Sequence, residues 1–276
     1  MSEDTPSQRV LVGVNSSDPS LSLKAQGLLP ADLFKCHPHL PWVEKARQVG
    51  PCMMHLPLNL GDQELESRHD WGLYRDLLIE TETPYVNAHM EAQVSVFPSE
   101  DWGEIRSLWL KNADIIRCHL SDWPLILENV VWRAEGGRWA KPIVDTSCLS
   151  RFLEDADAGL LLDTAHAVIT CDSLKVPPEE WIGDLPLQRV KELHVTGVQM
   201  HEERLRDSMP MGPYDWQVAE WLFRQIRTGR AAKPWLAALE YGGFGPIFEW
   251  RSDPEILLRD LTRLRGLAES VEAPQA

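Results

Sequence analysis

Six short apolar runs of the sequence each end in a histidine or a carboxylate, namely His55, His89, Glu128, Asp163, His194 and Glu240. The steps between these residues are 34, 39, 35, 31 and 46 residues, each about one strand plus one helix. Imidazole and carboxylate ligands without a thiolate suit zinc, manganese or Fe(II). Because so many ligands recur in register, the pattern predicts a site with more than one metal ion, in which a carboxylate such as Glu128 bridges two ions.

The remaining histidines lack this placement. His37, His39, His69 and His119 do not end an apolar run, so we expect them at the surface or in turns. His201 follows the seventh run by a few residues, and its position relative to the site stays open. A single histidine at a strand end more commonly only forms hydrogen bonds, and it is the joint pattern of six polar endings that favours a metal site.

The six runs belong to a series of eight: Val10–Val14, Leu33–Cys36, Cys52–Leu56, Tyr85–Met90, Leu125–Glu128, Leu160–Asp163, Val190–Val195 and Trp235–Glu240. Amphipathic segments between and after them predict helices: Asp62–Glu80, Trp102–Lys111, Ser147–Asp155, Tyr214–Arg227 and a last helix after Asp253-Pro254. Eight such units predict an α/β protein with a (β/α)₈ barrel, in which the C-terminal strand ends converge on one mouth. A doubly wound sheet is the rival, but Val14-Asn-Ser-Ser17 is not the glycine-rich turn that it requires.

Length and composition narrow the classes of function. The chain has 276 residues, and 42 acidic against 27 basic residues give a net charge of −15, which argues against nucleic-acid and membrane partners. No apolar run approaches the roughly 18 to 20 residues of a membrane span. The polar start is unlike a signal peptide, and the five cysteines are too scattered for a disulfide framework. We therefore expect one cytoplasmic domain over residues 1–276, with residues 1–8 flexible and residues 271–276 as a tail.

Several short motifs resemble the xylose-isomerase-like superfamily of TIM barrels, and within it the multinuclear non-haem iron oxygenases. The motifs are His55-Leu-Pro-Leu-Asn-Leu-Gly61, Asn87-Ala-His-Met90, Leu127-Glu-Asn129, Leu162-Asp-Thr-Ala-His166, Leu193-His-Val-Thr-Gly197 and Asp207-Ser-Met209, followed by Val218-Ala-Glu-Trp-Leu222. Each motif alone is weak, but their order and spacing over residues 50 to 245 are fairly specific.

Three positions depart from the oxygenase pattern. His166 stands where the oxygenases carry asparagine, and Asp163-Thr-Ala-His166 instead resembles AP endonucleases. Ala88 replaces a glutamate, and Met209 replaces the histidine of an Asp-x-His motif. A neutral thioether is a poor ligand beside hard oxygen donors, so a third ion at His166 and Asp207 should bind weakly or be absent. Alternatively, Met209 points away into the packing, with the same consequence for that ion.

The resemblance implies two, or at most three, iron ions. His55, His89 and Glu128 would hold one iron, and Glu128 would share the second with Asp163, His194 and Glu240. Glu128, Asp163 and His194 are the implied catalytic residues. The implied activity is the O₂-dependent modification of a cysteine-containing peptide, as in the biosynthesis of ribosomally made peptide products, with a small partner protein that delivers the peptide.

Two other interpretations stay open. A zinc or manganese enzyme would be a sugar isomerase or epimerase, or a phosphodiesterase similar to AP endonucleases, acting on a small molecule or a phosphodiester. His166 favours that branch, and Lys191 or His201 are loose candidates for the base of an isomerase. A barrel without metal that only binds a partner is disfavoured because all six strand-end ligands are present.

Overall fold

The chain forms a ring of eight parallel strands with helices between them, in a computed structural model that describes residues 9–245 and 248–272. The predicted (β/α)₈ architecture is confirmed. The barrel strands are β1 Leu11–Asn15, β2 Leu33–Cys36, β3 Cys52–Met54, β4 Val86–His89, β5 Leu125–Glu128, β6 Gly159–Asp163, β7 Val190–Val195 and β10 Leu236–Leu239. The predicted flexible residues 1–8 and residues 273–276 of the predicted tail lie outside the described residues.

The barrel is nearly closed, with a seam between β3 and β4. Pro57 follows β3, and past the end of that strand the chain pairs with β4 through the backbone of His89, which donates to Leu58 O at 2.9 Å and accepts from Leu60 N at 3.0 Å. The Asn87 side chain accepts from Leu56 N at 2.7 Å and donates to Leu56 O at 3.0 Å. One amide side chain therefore replaces backbone ladder bonds across the seam, and it holds His89 beside the segment that follows His55.

Aspartate caps begin five of the helices. Asp70, Asp101, Asp145, Asp163 and Asp253 each accept a hydrogen bond from a first-turn amide. The helices are α1 Asp18–Ala25, α2 Leu40–Arg47, α3 Leu65–Arg68, α4 Trp71–Glu80, α5 Trp102–His119, α6 Thr146–Asp155, α7 Thr164–Leu174, α8 Pro178–Gly183, α9 Pro213–Arg227 and α10 Pro254–Glu272. The Asp70 cap divides the helix predicted over Asp62–Glu80, and the one predicted over Trp102–Lys111 continues to His119. Among the described residues, no helix is both long and apolar enough to cross a membrane.

Apolar side chains fill the interior of the barrel at the N-terminal ends of its strands. An apolar cluster consists of Leu33, Met53, Tyr85, Ile126, Leu161, Leu236 and Ala238, all buried. Because this layer closes the N-terminal end, the polar residues that end the strands face the opposite mouth, where barrel enzymes carry their sites.

One β-hairpin interrupts the βα repeat after β7. It consists of β8 Gly197–His201 and β9 Arg204–Met209, joined by Glu202 and Glu203 with φ of 48° and 63°. Two consecutive left-handed residues are typical of the tight turns that match the twist of a hairpin. Between its paired ends β9 uses one residue more than β8, which places a β-bulge near Asp207 and Ser208. Bulges re-aim side chains next to active sites, and here Arg204, Arg206 and Asp207 all line one cavity.

Candidate metal centre

The six strand-end residues converge at the mouth of the barrel. Together with His166 of α7 they form three groups, and within each group one ligand atom per residue lies within 4.8 Å of the others. The groups are His55, His89 and Glu128; Glu128, Asp163 and His166; and Asp163, His194 and Glu240. Asp207 joins this set because its Oδ2 lies 3.2 Å from His166 Nε2. All eight sequence-predicted ligands thus share one site, and their binding of metal stays a prediction.

Glu128 lies at the centre of these groups. Its Oε2 is 3.3 Å from His89 Nε2 and 3.7 Å from His55 Nε2. Its Oε1 is 3.5 Å from Nδ1 of both His166 and His194. The two oxygens therefore face different histidines, the arrangement that a bridging carboxylate requires.

The two carboxylate oxygens of Asp163 have different contacts: one caps a helix and the other faces the ligand histidines. Oδ1 accepts the backbone N–H of His166 at 2.7 Å and thereby caps α7. Oδ2 faces Nδ1 of both His166 and His194, at 3.7 and 3.6 Å. Capping starts α7 directly after β6, so His166 in the first turn lies beside the strand-end ligands.

The donor set fits a metal ion. Glu128 Oε2, Asp163 Oδ2 and His194 Nδ1 are buried atoms without a hydrogen-bond partner among the described residues. Buried polar atoms left unpaired are costly and uncommon in folded proteins. Three of them directed into one imidazole and carboxylate cluster are explained by cations that accept their lone pairs.

A second layer of contacts orients the imidazoles. Nδ1 of His89 lies 3.0 Å from the carbonyl of residue 58, and His166 Nδ1 lies 2.8 Å from Asn129 O. His194 Nε2 lies 2.8 Å from Glu192 Oε1, so its Nδ1 faces the carboxylates. Partners on the second ring nitrogen fix the orientation and tautomer of metal-ligating histidines.

Lys35 and Glu192 extend the site below the mouth, and the sequence interpretation missed both. Lys35 Nζ lies 2.8 Å from Glu192 Oε1 and 3.2 Å from Glu240 Oε1, and it contacts His194 Nε2. Tyr85 donates its hydroxyl to the other oxygen of Glu192. A signal existed in the sequence, since Lys35 is the charged residue of the apolar strand Leu-Phe-Lys-Cys and Glu192 precedes His194 by two, on the same face of β7.

The carboxylates raise the pKa of two of the histidines. Burial lowers the pKa of His194, but Glu240 and other carboxylates raise it well above its ordinary value. Burial also lowers the pKa of His166, while Asp163 and its neighbours raise it well above the usual range. Burial raises the pKa of Glu128, yet the surrounding imidazoles bring it well below its ordinary value. Because ligating histidines must be neutral, the raised pKa values oppose metal binding more strongly as the pH falls.

The cluster opens into a cavity of about 430 Å³. Glu128 lines this cavity and is 1% exposed, whereas His194 is 0% exposed and lies outside the described lining. His37 is exposed, as expected, but it lines this cavity, with its ring 5.7 Å from that of His55. Met209 is buried outside the described residues that line the cavity, which supports the packing alternative.

The two loose candidates for an isomerase base lie elsewhere. Lys191 packs over the Trp235 ring at the N-terminal end of the barrel, opposite the metal centre. His201 stacks on Trp250, with ring centroids 4.8 Å apart, and is outside the described lining of the cavity.

Comparison with known proteins agrees with this geometry. The family model described as "RiPP precursor modification enzyme MbnB/TglH/ChrH" matches residues 106–228. The predicted family resemblance is confirmed. The matched segment contains Glu128, Asp163, His166, His194 and Asp207, and the enzymes of this family modify the precursors of ribosomally made peptides. No curated protein matches the chain in sequence.

Solved structures share the fold at low identity. A xylose isomerase domain protein from Alicyclobacillus acidocaldarius has a TM-score of 0.63 at 16% identity, over 96% of this chain and 99% of that one. A D-tagatose 3-epimerase-like protein has a TM-score of 0.60 at 12% identity, over 95% and 98%. The D-psicose 3-epimerase from Clostridium cellulolyticum H10 gives 0.55 at 14% identity, over 95% and 99%. These likenesses establish the xylose-isomerase-like barrel.

Proposed function

We propose that the chain is a multinuclear non-haem iron oxygenase that modifies a cysteine of a peptide with O₂. The observation that carries the proposal is the series of three ligand groups linked by Glu128 and Asp163, part of which lies within the family match. In this proposal His55, His89 and Glu128 hold one iron, and Glu128, Asp163, His194 and Glu240 hold the second. A small partner protein that delivers the peptide belongs to the same proposal.

When bound, the iron ions would supply coordination sites for the thiolate and O₂ side by side, together with the redox chemistry. The chain's own residues prepare that site. Asn129 holds β5 to β6 by donating to Asp163 O at 3.0 Å and accepting from Asp163 N at 2.9 Å. Glu192 orients His194, and the Lys35 ammonium keeps Glu192 ionised. The apolar layer beneath them excludes water from the floor of the site.

A sugar isomerase or epimerase is not better supported. The likeness to the xylose isomerase domain protein and to the epimerases rests on 11–16% identity and concerns the fold alone. Lys35 is the lysine nearest the ligands, but it is 5% exposed, held by Glu192 and Glu240, and outside the described lining of the cavity. A base for a sugar carbon would have to reach into that cavity.

Anaerobic purification of the iron-loaded chain, with elemental analysis and an absorption spectrum, tests the proposal. We expect at least two iron ions per chain, a coloured ferric form after exposure to air, and O₂ consumption with a cysteine peptide. His89→Gln should lower the iron content, whereas His119→Gln serves as the matched control because His119 stacks on Trp71 outside the cavity. Zinc or manganese in place of iron in protein from iron-replete cells would contradict the proposal.

A further inference from the structure

Four arginines line the metal cavity and are called here the arginine wall. Arg133 follows β5, Arg204 and Arg206 lie on β9, and Arg251 lies in the turn before α10; all four line the cavity. This local excess of positive charge stands out because the whole chain carries a net charge of −15. The net charge of the chain does not explain why four arginines gather at this cavity.

Two of these arginines hold the hairpin in place. Arg133 donates to Leu205 O at 2.7 Å, and Arg251 donates to Asp207 O at 2.8 Å. Both bonds end on the backbone of β9, so they fix the strand that carries Arg204 and Arg206. The arginine wall is therefore preorganised, because its side chains and the strand that carries two of them are held in place before a ligand binds.

The other two arginines keep N–H donors that a ligand could use. Arg204 and Arg206 alternate along β9 and thus face the same side. Within the described residues, Arg204 has no side-chain hydrogen bond or ion pair, and Arg206 pairs with the exposed Glu202 at 2.7 Å. Arg206 Nε is buried without a hydrogen-bond partner among the described residues.

The guanidinium groups repel one another. Burial lowers the pKa of Arg133, and Arg204 and Arg206 lower it further, against an opposing effect of Asp207. The acidic residues in the cavity are Glu128, Glu240 and Asp207. Glu128 and Glu240 are proposed ligands of the two irons, which would neutralise their charge, and Asp207 Oδ2 lies 3.2 Å from His166 Nε2. An anion from outside would relieve the repulsion that then remains.

We propose that this arginine wall binds a carboxylate of the substrate and so places the neighbouring residue over the metal ions. Guanidinium forks match carboxylates in shape and charge, which a single ammonium does not. The carboxylate belongs either to the C-terminus of the peptide or to an acidic side chain next to the reacting cysteine. That cysteine rests on the proposed function; the carboxylate site rests on the four arginines.

Calorimetry with the metal-loaded full chain under anaerobic conditions tests the carboxylate site. The probes are N-acetyl-Gly-Cys-Gly with a free C-terminus, its C-terminal amide, and N-acetyl-Glu-Cys-Gly amide. We expect at least one carboxylate-bearing probe to bind about tenfold more tightly than the uncharged amide, the gain of one charge-assisted contact. The tighter of the two identifies the source of the carboxylate. Equal affinity of all three probes would overturn the proposal.

Two variants and one further peptide distinguish binding of the carboxylate by the arginines from binding of the thiol by the metal ions. The double variant Arg204→Gln/Arg206→Gln should lose the preference for carboxylate, whereas Arg230→Gln, an exposed arginine after α9, should keep it. A preference that survives in the double variant would also overturn the proposal. N-acetyl-Gly-Ser-Gly with a free C-terminus tests the thiol separately: if it binds as tightly as the cysteine peptide while the carboxylate preference persists, the anion site stands and the proposed thiol chemistry fails.

Discussion

Glu128→Gln should abolish tight metal binding while the barrel still folds. The substitution keeps the shape of the side chain but removes the charge that lies 3.3 to 3.7 Å from four imidazoles. Because Glu128 is assigned to both proposed ions, with Oε2 3.3 Å from His89 Nε2 and Oε1 3.5 Å from His194 Nδ1, both ions lose a donor.

The magnitude follows from the contacts. Removal of a partner in the outer layer of a metal site costs roughly 10- to 100-fold in affinity, so loss of a direct, bridging carboxylate should cost about 100-fold or more, or about 2.8 kcal/mol. At a metal concentration of about 100 times the wild-type Kd, the wild type gains about 2.7 kcal/mol of stability, and the variant about 0.4 kcal/mol. For a chain of this size the difference corresponds to about 5 °C in Tm.

Thermal unfolding with and without Fe(II), together with elemental analysis, measures the effect. Asp260→Asn is the matched control: Asp260 is also 1% exposed and is paired with Arg259 at 2.7 Å, but it lies on α10 outside the ligand groups. The control variant should have a lower Tm than the wild type without metal, but Fe(II) should raise its Tm by as much as it raises that of the wild type. If Glu128→Gln keeps the wild-type metal content and the wild-type increment, the bridging assignment is wrong.

Four further predictions follow from the same site. His194→Ala should lose metal and activity but keep the barrel, because the neighbouring strands retain their ladder; full metal content by elemental analysis would refute the ligand assignment. Burial raises the pKa of Glu192, but Lys35 lowers it, to a net value of about 2. As the pH drops from about 4.5 through 2, the free energy of unfolding should therefore fall by about 3 kcal/mol from this group. Urea titrations of the metal-free protein should show this fall, and the Lys35→Met variant should lack it. Since Met209 lies outside the described cavity lining, an Fe(II) titration should find two tight ions and a third at least about tenfold weaker, and three tight ions would refute this. Duplex DNA with an abasic site should bind weakly, so submicromolar affinity at physiological salt or cleavage at that site would favour the nuclease interpretation instead.

The imidazole and carboxylate ligands of the site were predictable from the sequence because the pattern that indicates them is local. A histidine or carboxylate that ends an apolar run is a feature of a few consecutive residues. In a parallel barrel, geometry then brings the ends of all strands to one mouth. His55, His89, Glu128, Asp163 and Glu240 could therefore be placed together before any contact between them was known.

The basic side of the site depended on tertiary structure. Lys35 resembles any charged residue near a strand end, and its burial is possible only because Glu192 and Glu240 come from strands far away in the sequence. Arg204 and Arg206 lie in a polar segment that reads as an ordinary solvated loop. Only the left-handed turn and the bulge of the hairpin bring them over the cavity.

The sequence by itself therefore determined the barrel and the ligands that its strand ends carry, because strand periodicity and strand termination are encoded over four to seven neighbouring residues. Tertiary structure alone decided which charges balance those ligands and which groups face the substrate. Those depend on long-range pairing, for which no short segment carries the information: Glu128 was visible in one strand, whereas the pairing of Lys35 with Glu192 joins residues 157 positions apart.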